Sequence, residues 1–182
     1  MAVALWRQKF DDRALGWALR FGMILTIAGA LTGPLMTRPT AEQLANARAG
    51  KGMTISGAHS VGGHDGGPGV AVTGWSREHG DVRVAHFIGL HAIQALTLVA
   101  LGIRRWRREA VRVRIVLATA VSYASLFALL LWQALRGESV IAPDSTMLAA
   151  VAAWVSVTVL VLGWISVRSR GESRDGFTLR LV

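Results

Sequence analysis

The chain contains no cysteine, and that single absence excludes disulfides, thiolate metal sites, iron–sulfur clusters and cysteine nucleophiles together. Any bound metal would have to be held by histidine, carboxylate, methionine or backbone oxygen. Hydrolytic machinery is also missing. Ser56, Ser60 and Ser76 lie near histidines in sequence, yet no Gly-x-Ser-x-Gly elbow is present, and sequence proximity does not build a triad. The glycines are not followed by Lys-Ser/Thr, so no phosphate-cradling loop is present either. No internal repeat of helix pairs is visible.

What the chain has in abundance is apolar sequence. Its residues are 52% hydrophobic with a mean hydropathy of +0.42, too apolar for an ordinary soluble domain. Four runs, at about 14–36, 84–103, 113–135 and 146–167, approach the roughly 20 residues needed to cross a hydrocarbon core. The expected fold is therefore all-α: one integral-membrane four-helix bundle over 1–182, with a long loop over 37–83 and a polar, mobile tail over 168–182. Arg20 interrupts the first run near its start and is expected to snorkel back to the headgroups. A cleaved signal peptide ending near Ala45-Asn46-Ala47 is the rival reading, but that site lies too far beyond the apolar run, and Asp11 and Asp12 spoil a basic leader.

The formal charge of +9 would suggest nucleic acid in a soluble protein. Here the basic residues flank the apolar runs, which the positive-inside rule and anionic headgroups explain without nucleic acid. Arg7, Lys9, Arg13 and Arg20, the run from Arg104 to Arg114, and the arginines after the fourth run make 14 of the 20 Lys+Arg on one side. Arg38, Arg48, Lys51, Arg77, Arg83 and Arg136 are spread over the other. Both termini are thus expected in the cytoplasm of a bacterial inner membrane, with 37–83 outside. Trp17, Trp106 and Trp164 fall near the inner interface and Trp75 and Trp132 near the outer one, while Trp154 lies deeper and should pack against a helix or a ligand. Gly29-xxx-Gly33 and the ladder Ala120, Ala124, Ala128 offer surfaces for close helix approach.

All five histidines, His59, His64, His79, His86 and His91, fall in one 33-residue stretch. The glycine-rich part, His59-Ser-Val-Gly-Gly-His64-Asp65-Gly-Gly-Pro-Gly, allows the backbone to approach something closely. Long loops without secondary structure are functional or disordered, and Trp75 with Val70-Ala71-Val72 favours a loop folded back on the bundle. On the second helix, His86 and His91 are five residues apart and point about 140° from each other, so they cannot grip one metal from one face. Phe87, His91 and Gln94 share a face, and intramembrane polar side chains by default face the interior and mark a site.

These residues support three readings. One is a metal site of His59, His64, Asp65 and His86, suited to zinc, copper or non-haem iron. Another is a haem in a cofactor site of His86, His91 and Gln94, with His91 or His86 as one axial ligand and a loop histidine or a methionine as the other; because the other spans carry no histidine, it would be a single haem or one shared across a dimer by two copies of His91. The third is a non-enzymatic structural or assembly subunit, a homo-oligomer or member of a membrane complex, whose histidines dock the loop through hydrogen bonds. The His-Ser-Val-Gly and Asp-Gly-Gly-Pro-Gly loop with the His-Phe-x-Gly-Leu-His-x-x-Gln helix resembles a group of uncharacterised small bacterial four-span inner-membrane proteins. That resemblance covers residues 57–94 and implies the architecture but no activity. The expectation carried forward is a histidine-lined outer site for haem or a transition metal, of unknown substrate.

Overall fold

The computed structural model describes residues 2–53, 55–105 and 108–178, with side chains as far as Ser169. Trp106 and Arg107 of the basic marker, and the last four residues, lie outside the described residues. The chain is mostly helical. Its elements in order are α1 (Ala2–Arg7), α2 (Arg13–Ala30), α3 (Gly33–Thr37), α4 (Ala41–Arg48), β1 (Ser60–Val61), β2 (Gly80–Asp81), α5 (Val82–Leu90), α6 (Ala92–Gly102), α7 (Glu109–Leu135) and α8 (Ser145–Thr178).

Three stretches are long and apolar enough to cross a membrane: 13–48, 109–135 and 145–169. The run expected as one straight span over 84–103 is instead the pair α5 and α6, bent by 44° at His91, and it makes a fourth span if the pair crosses as one. Hydropathy counts apolar residues and does not register where a helix axis turns. The sequence from 168 onward, expected as a mobile tail, continues α8 as far as Thr178.

Two compact units divide the chain. The first comprises the described parts of 1–25, 92–125 and 151–182. Its core is Ala14, Ala18 and Leu25 from α2, Ala92, Leu96 and Ala100 from α6, and Val116 and Ala120 from α7, with Ala124 packed against it. Small side chains let these helices close up. A Cβ on Gly22 would lie 2.6 Å from the Cα of Ile93, so α2 and α6 touch backbone to backbone there. Trp154 packs against a helix, donating its Nε1–H to the Ser122 carbonyl at 2.9 Å, beside a Ser122–Thr158 hydroxyl pair at 2.8 Å. Elsewhere α8 turns Val155, Val157, Val159, Leu160 and Trp164 outward, the surface expected of a helix solvated by lipid.

The second unit comprises 26–91 and 126–150. In it α2 crosses α5 at a pair of glycines. A Cβ on Gly29 would meet the Gly89 carbonyl carbon at 2.5 Å, and one on Gly89 would meet the Gly29 Cα at 2.4 Å. Gly33, the other half of the expected motif, meets only the His86 ring at 3.9 Å, so the partner of Gly29 is Gly89 and not a repeat of Gly33. Ala128 is exposed, which removes it from the expected packing ladder. Helix α7 ends in a Schellman turn: Glu138 N–H bonds the Gln133 carbonyl, Gly137 N–H bonds that of Ala134, and Gly137 sits at φ +77°.

The segment 37–83 is more structured than a loop without elements of its own. Helix α4 starts at a capping box in which Thr40 and Gln43 satisfy each other's backbone N–H. Strands β1 and β2 pair antiparallel, Ser60 with Asp81 and Val61 with Gly80. Val72, expected to help hold the loop down, is fully exposed at φ +73°, in a turn where Gly74 N–H bonds the Val70 carbonyl. What holds the segment is polar.

Candidate functional site

Asp81 is the centre of the outer segment. Its position just before α5 makes it the N-cap, accepting from Arg83 N–H at 3.0 Å, and its other oxygen accepts from Ser76 N–H at 2.9 Å. Arg83 closes the arrangement, with Nη2 at 2.7 Å from Asp81 Oδ2 and from the Gly74 carbonyl. The Asp81 side chain is 1% exposed. Burial opposes its charged form, but the Arg83 guanidinium and the two amide donors outweigh it and hold the carboxyl below the usual carboxylate range.

This node is tied to the turn after α7. Ser139 donates its hydroxyl to the Ser76 carbonyl at 3.0 Å, and buried Gln133 donates to the Ser139 carbonyl at 3.0 Å. Gly80 must be glycine, because a Cβ there would lie 2.0 Å from the Ala134 carbonyl oxygen. A second latch binds the start of the segment: the Gln43 amide donates to the Gly57 carbonyl and accepts from Gly57 N–H, both at 2.9 Å. Gly57 has φ +89° and touches the backbone of Met36, so no other residue fits.

The sequence-predicted donors are spread through this scaffold. His59 Nδ1 lies 3.3 Å from Asp65 and 3.9 Å from Asp81, and the Asp65 carboxylate also accepts the N–H groups of His59 and Ser60. Burial raises the Asp65 carboxyl, and those donors together with the Ser60 hydroxyl more than reverse the effect, so it too stays ionised to lower pH than usual. His64 is 88% exposed and faces Glu42 at 3.7 Å. His79, expected as an exposed loop residue, is half-buried with its ring against Gly63.

His86 is a helix pin. Its Nδ1 lies 2.9 Å from the Gly29 carbonyl oxygen and 3.1 Å from Thr32 Oγ1. A carbonyl can only accept, and Thr32 spends its own proton on the same carbonyl at 2.7 Å, so Nδ1 carries the hydrogen and donates to both. The bond ties α5 to the end of α2 at a carbonyl that also accepts the Thr32 N–H and hydroxyl.

His91 sits at the bend, exposed, with its ring 4.0 Å from the Phe87 ring centroid and its Nδ1–H donating to the Phe87 carbonyl at 2.8 Å. Trp75 meets Phe87 edge-on at 5.9 Å. Gln94 is exposed on α6, in the company of Leu98 and Leu101. The expectation that His91 and Gln94 face an interior is therefore not met.

Among the described residues, no group of three or more histidine, aspartate or glutamate side chains is placed to hold a metal ion. Of the set His59, His64, Asp65 and His86, the structure brings together His59 and Asp65. Sequence reasoning missed Asp81, Arg83, Gln43, Ser139 and Gly80, which build the segment. Asp81 directly before a helix and Thr40-x-x-Gln43 were visible capping signals. No protein-family model matches the chain, and no curated protein or solved structure matches it either.

Proposed function

We propose that this is a four-span inner-membrane protein with both termini cytoplasmic, acting as a non-enzymatic structural or assembly subunit rather than as an enzyme. The observation that carries the reading is the engagement of His86 and His59 in contacts that hold the fold: the His86 Nδ1–H donates to the Gly29 carbonyl at 2.9 Å, and His59 lies 3.3 Å from Asp65. Side chains spent on the scaffold support a structural role, with a second copy or another subunit as the partner.

A second reading has one observation in its favour. The Nδ1–H of His91 is donated to the Phe87 carbonyl, a backbone contact of the kind that orients histidine ligands to haem or a transition metal. His91 would supply one axial ligand and a second copy the other. Among the described residues, His59, His64, Asp65 and His86 are not grouped to hold a single ion.

The two readings separate in one preparation. Protein in mild detergent should run larger than one chain and carry no stoichiometric cofactor if the structural reading holds. A Soret band lost in His91→Leu would favour the cofactor reading. Orientation is checked apart from this: a cysteine introduced at Gly66 should label from outside, and one at Arg105 should not.

A further inference from the structure

At the other end of the first span, Lys9, Phe10, Arg13, Gly16, Trp17 and Arg20 line a cleft of about 330 Å³. Its construction follows from the chain's return at Gln8. Arg20 caps α1 by donating from Nη2 to the Gln8 carbonyl at 2.8 Å, and its guanidinium lies 5.3 to 5.7 Å from the ring centroids of Trp6, Phe10 and Trp17. Phe10 presses on Gly16, where a Cβ would come within 2.9 Å of the ring. Trp6, Trp17 and Phe21 form an aromatic cluster beside it.

The charge in this cleft is uncompensated. Among the described residues no carboxylate pairs with Lys9, Arg13 or Arg20, and Arg20 Nε is shielded from solvent without a hydrogen-bond partner. Of the neighbouring acids, Asp12 binds Arg112 at 2.7 Å and faces Arg104 at 3.7 Å, Glu109 accepts the Arg13 backbone N–H, and Asp11 is exposed. Three cations with two aromatic walls at the start of an apolar helix match a phosphate that has acyl chains attached.

We infer that this cleft binds the headgroup phosphate of an anionic phospholipid. Lys9 and Arg13 supply the accessible charge, Arg20 supplies charge from below, and Trp17 and Phe10 cover the glycerol end. The inference depends on the membrane reading and not on the assembly role.

The test is native mass spectrometry of the full chain from micelles doped equally with phosphatidylglycerol and phosphatidylcholine. The wild type should retain phosphatidylglycerol preferentially. Lys9→Gln with Arg13→Gln should lower that preference on the order of tenfold, while Arg105→Gln should leave it in place. Arg20 is left intact because it also caps α1, and circular dichroism of each variant confirms folding. No preference in the wild type would overturn the inference, as would equal loss in Arg105→Gln, which would reduce the effect to general surface charge. Soluble inorganic phosphate displacing the lipid at comparable concentration would also overturn it, by making the ligand a free anion.

Discussion

Replacing Gly89 with alanine tests the contact on which the second unit depends. The new Cβ would stand 2.4 Å from the Gly29 Cα and 3.0 Å from both the Gly29 nitrogen and a Phe127 ring carbon. Ordinary carbon–carbon contact needs about 3.5 to 4 Å, so α2 and α5 must part by roughly 1 Å or more. The atoms in the way are backbone, which cannot rotate aside as a side chain tip could. Overpacking typically costs about 1–3 kcal/mol, and a backbone clash belongs at the upper end. Parting the helices also weakens the Thr26 hydroxyl bond to the Leu90 carbonyl and the His86 bond to Gly29. The net expectation is about 2–3 kcal/mol, or roughly a 30- to 150-fold change in the folding equilibrium. Gly163→Ala is the matched control, since nothing lies within 4 Å of its added Cβ and alanine favours helix by about 0.5–1 kcal/mol. Reversible unfolding in mixed micelles, followed by tryptophan fluorescence, reads both. If Gly89→Ala unfolds no more readily than Gly163→Ala, α2 and α5 do not touch at this pair and the crossing is wrong.

Three further outcomes follow from the outer segment and the α7–α8 contact. Because Asp81 has a depressed folded pKa, its stabilisation is fully present above the usual aspartate value near 4 and is lost as pH falls through the lower folded value. Thermal melts against pH should therefore show a decline below about pH 4 that is shallower in Asp81→Asn, with Asp65 carrying part of the remainder; the variant should also lose roughly 2–4 kcal/mol at neutral pH, since it breaks a pair whose carboxylate is buried. Gln43→Ala removes both partners of Gly57 and half of a capping box, so hydrogen exchange over 41–58 should accelerate by roughly tenfold with little change in global stability. Trp154→Phe should cost about 1 kcal/mol by leaving the Ser122 carbonyl one donor short, read by thermal unfolding against the wild type.

Three of the apolar runs were legible as long helices because length and hydropathy suffice to mark them: the observed starts Arg13, Glu109 and Ser145 lie within a few residues of the expected ones. The bend at His91 was not, because hydropathy marks apolar length and not axis direction, and no proline interrupts the run. Gly29 was legible as a packing residue, but its partner was not, since helical spacing on one strand of sequence cannot name the opposing glycine. The contacts made by the individual histidines were not legible from their clustering. His86 looked like a donor to something bound and is a donor to Gly29, and polar groups with a backbone carbonyl in reach take it. Asp81 escaped attention because an acid beside an arginine two residues on reads as ordinary surface charge until burial is known.

The most direct test is the molar mass and absorption spectrum of the protein purified in mild detergent, measured on one sample with elemental analysis. An assembly larger than the 19.5 kDa chain, without a Soret band and without near-stoichiometric iron, copper or zinc, is the result predicted for a structural subunit with a helix partner. A monomer carrying haem or a stoichiometric metal would contradict it and make the histidine stretch a cofactor site.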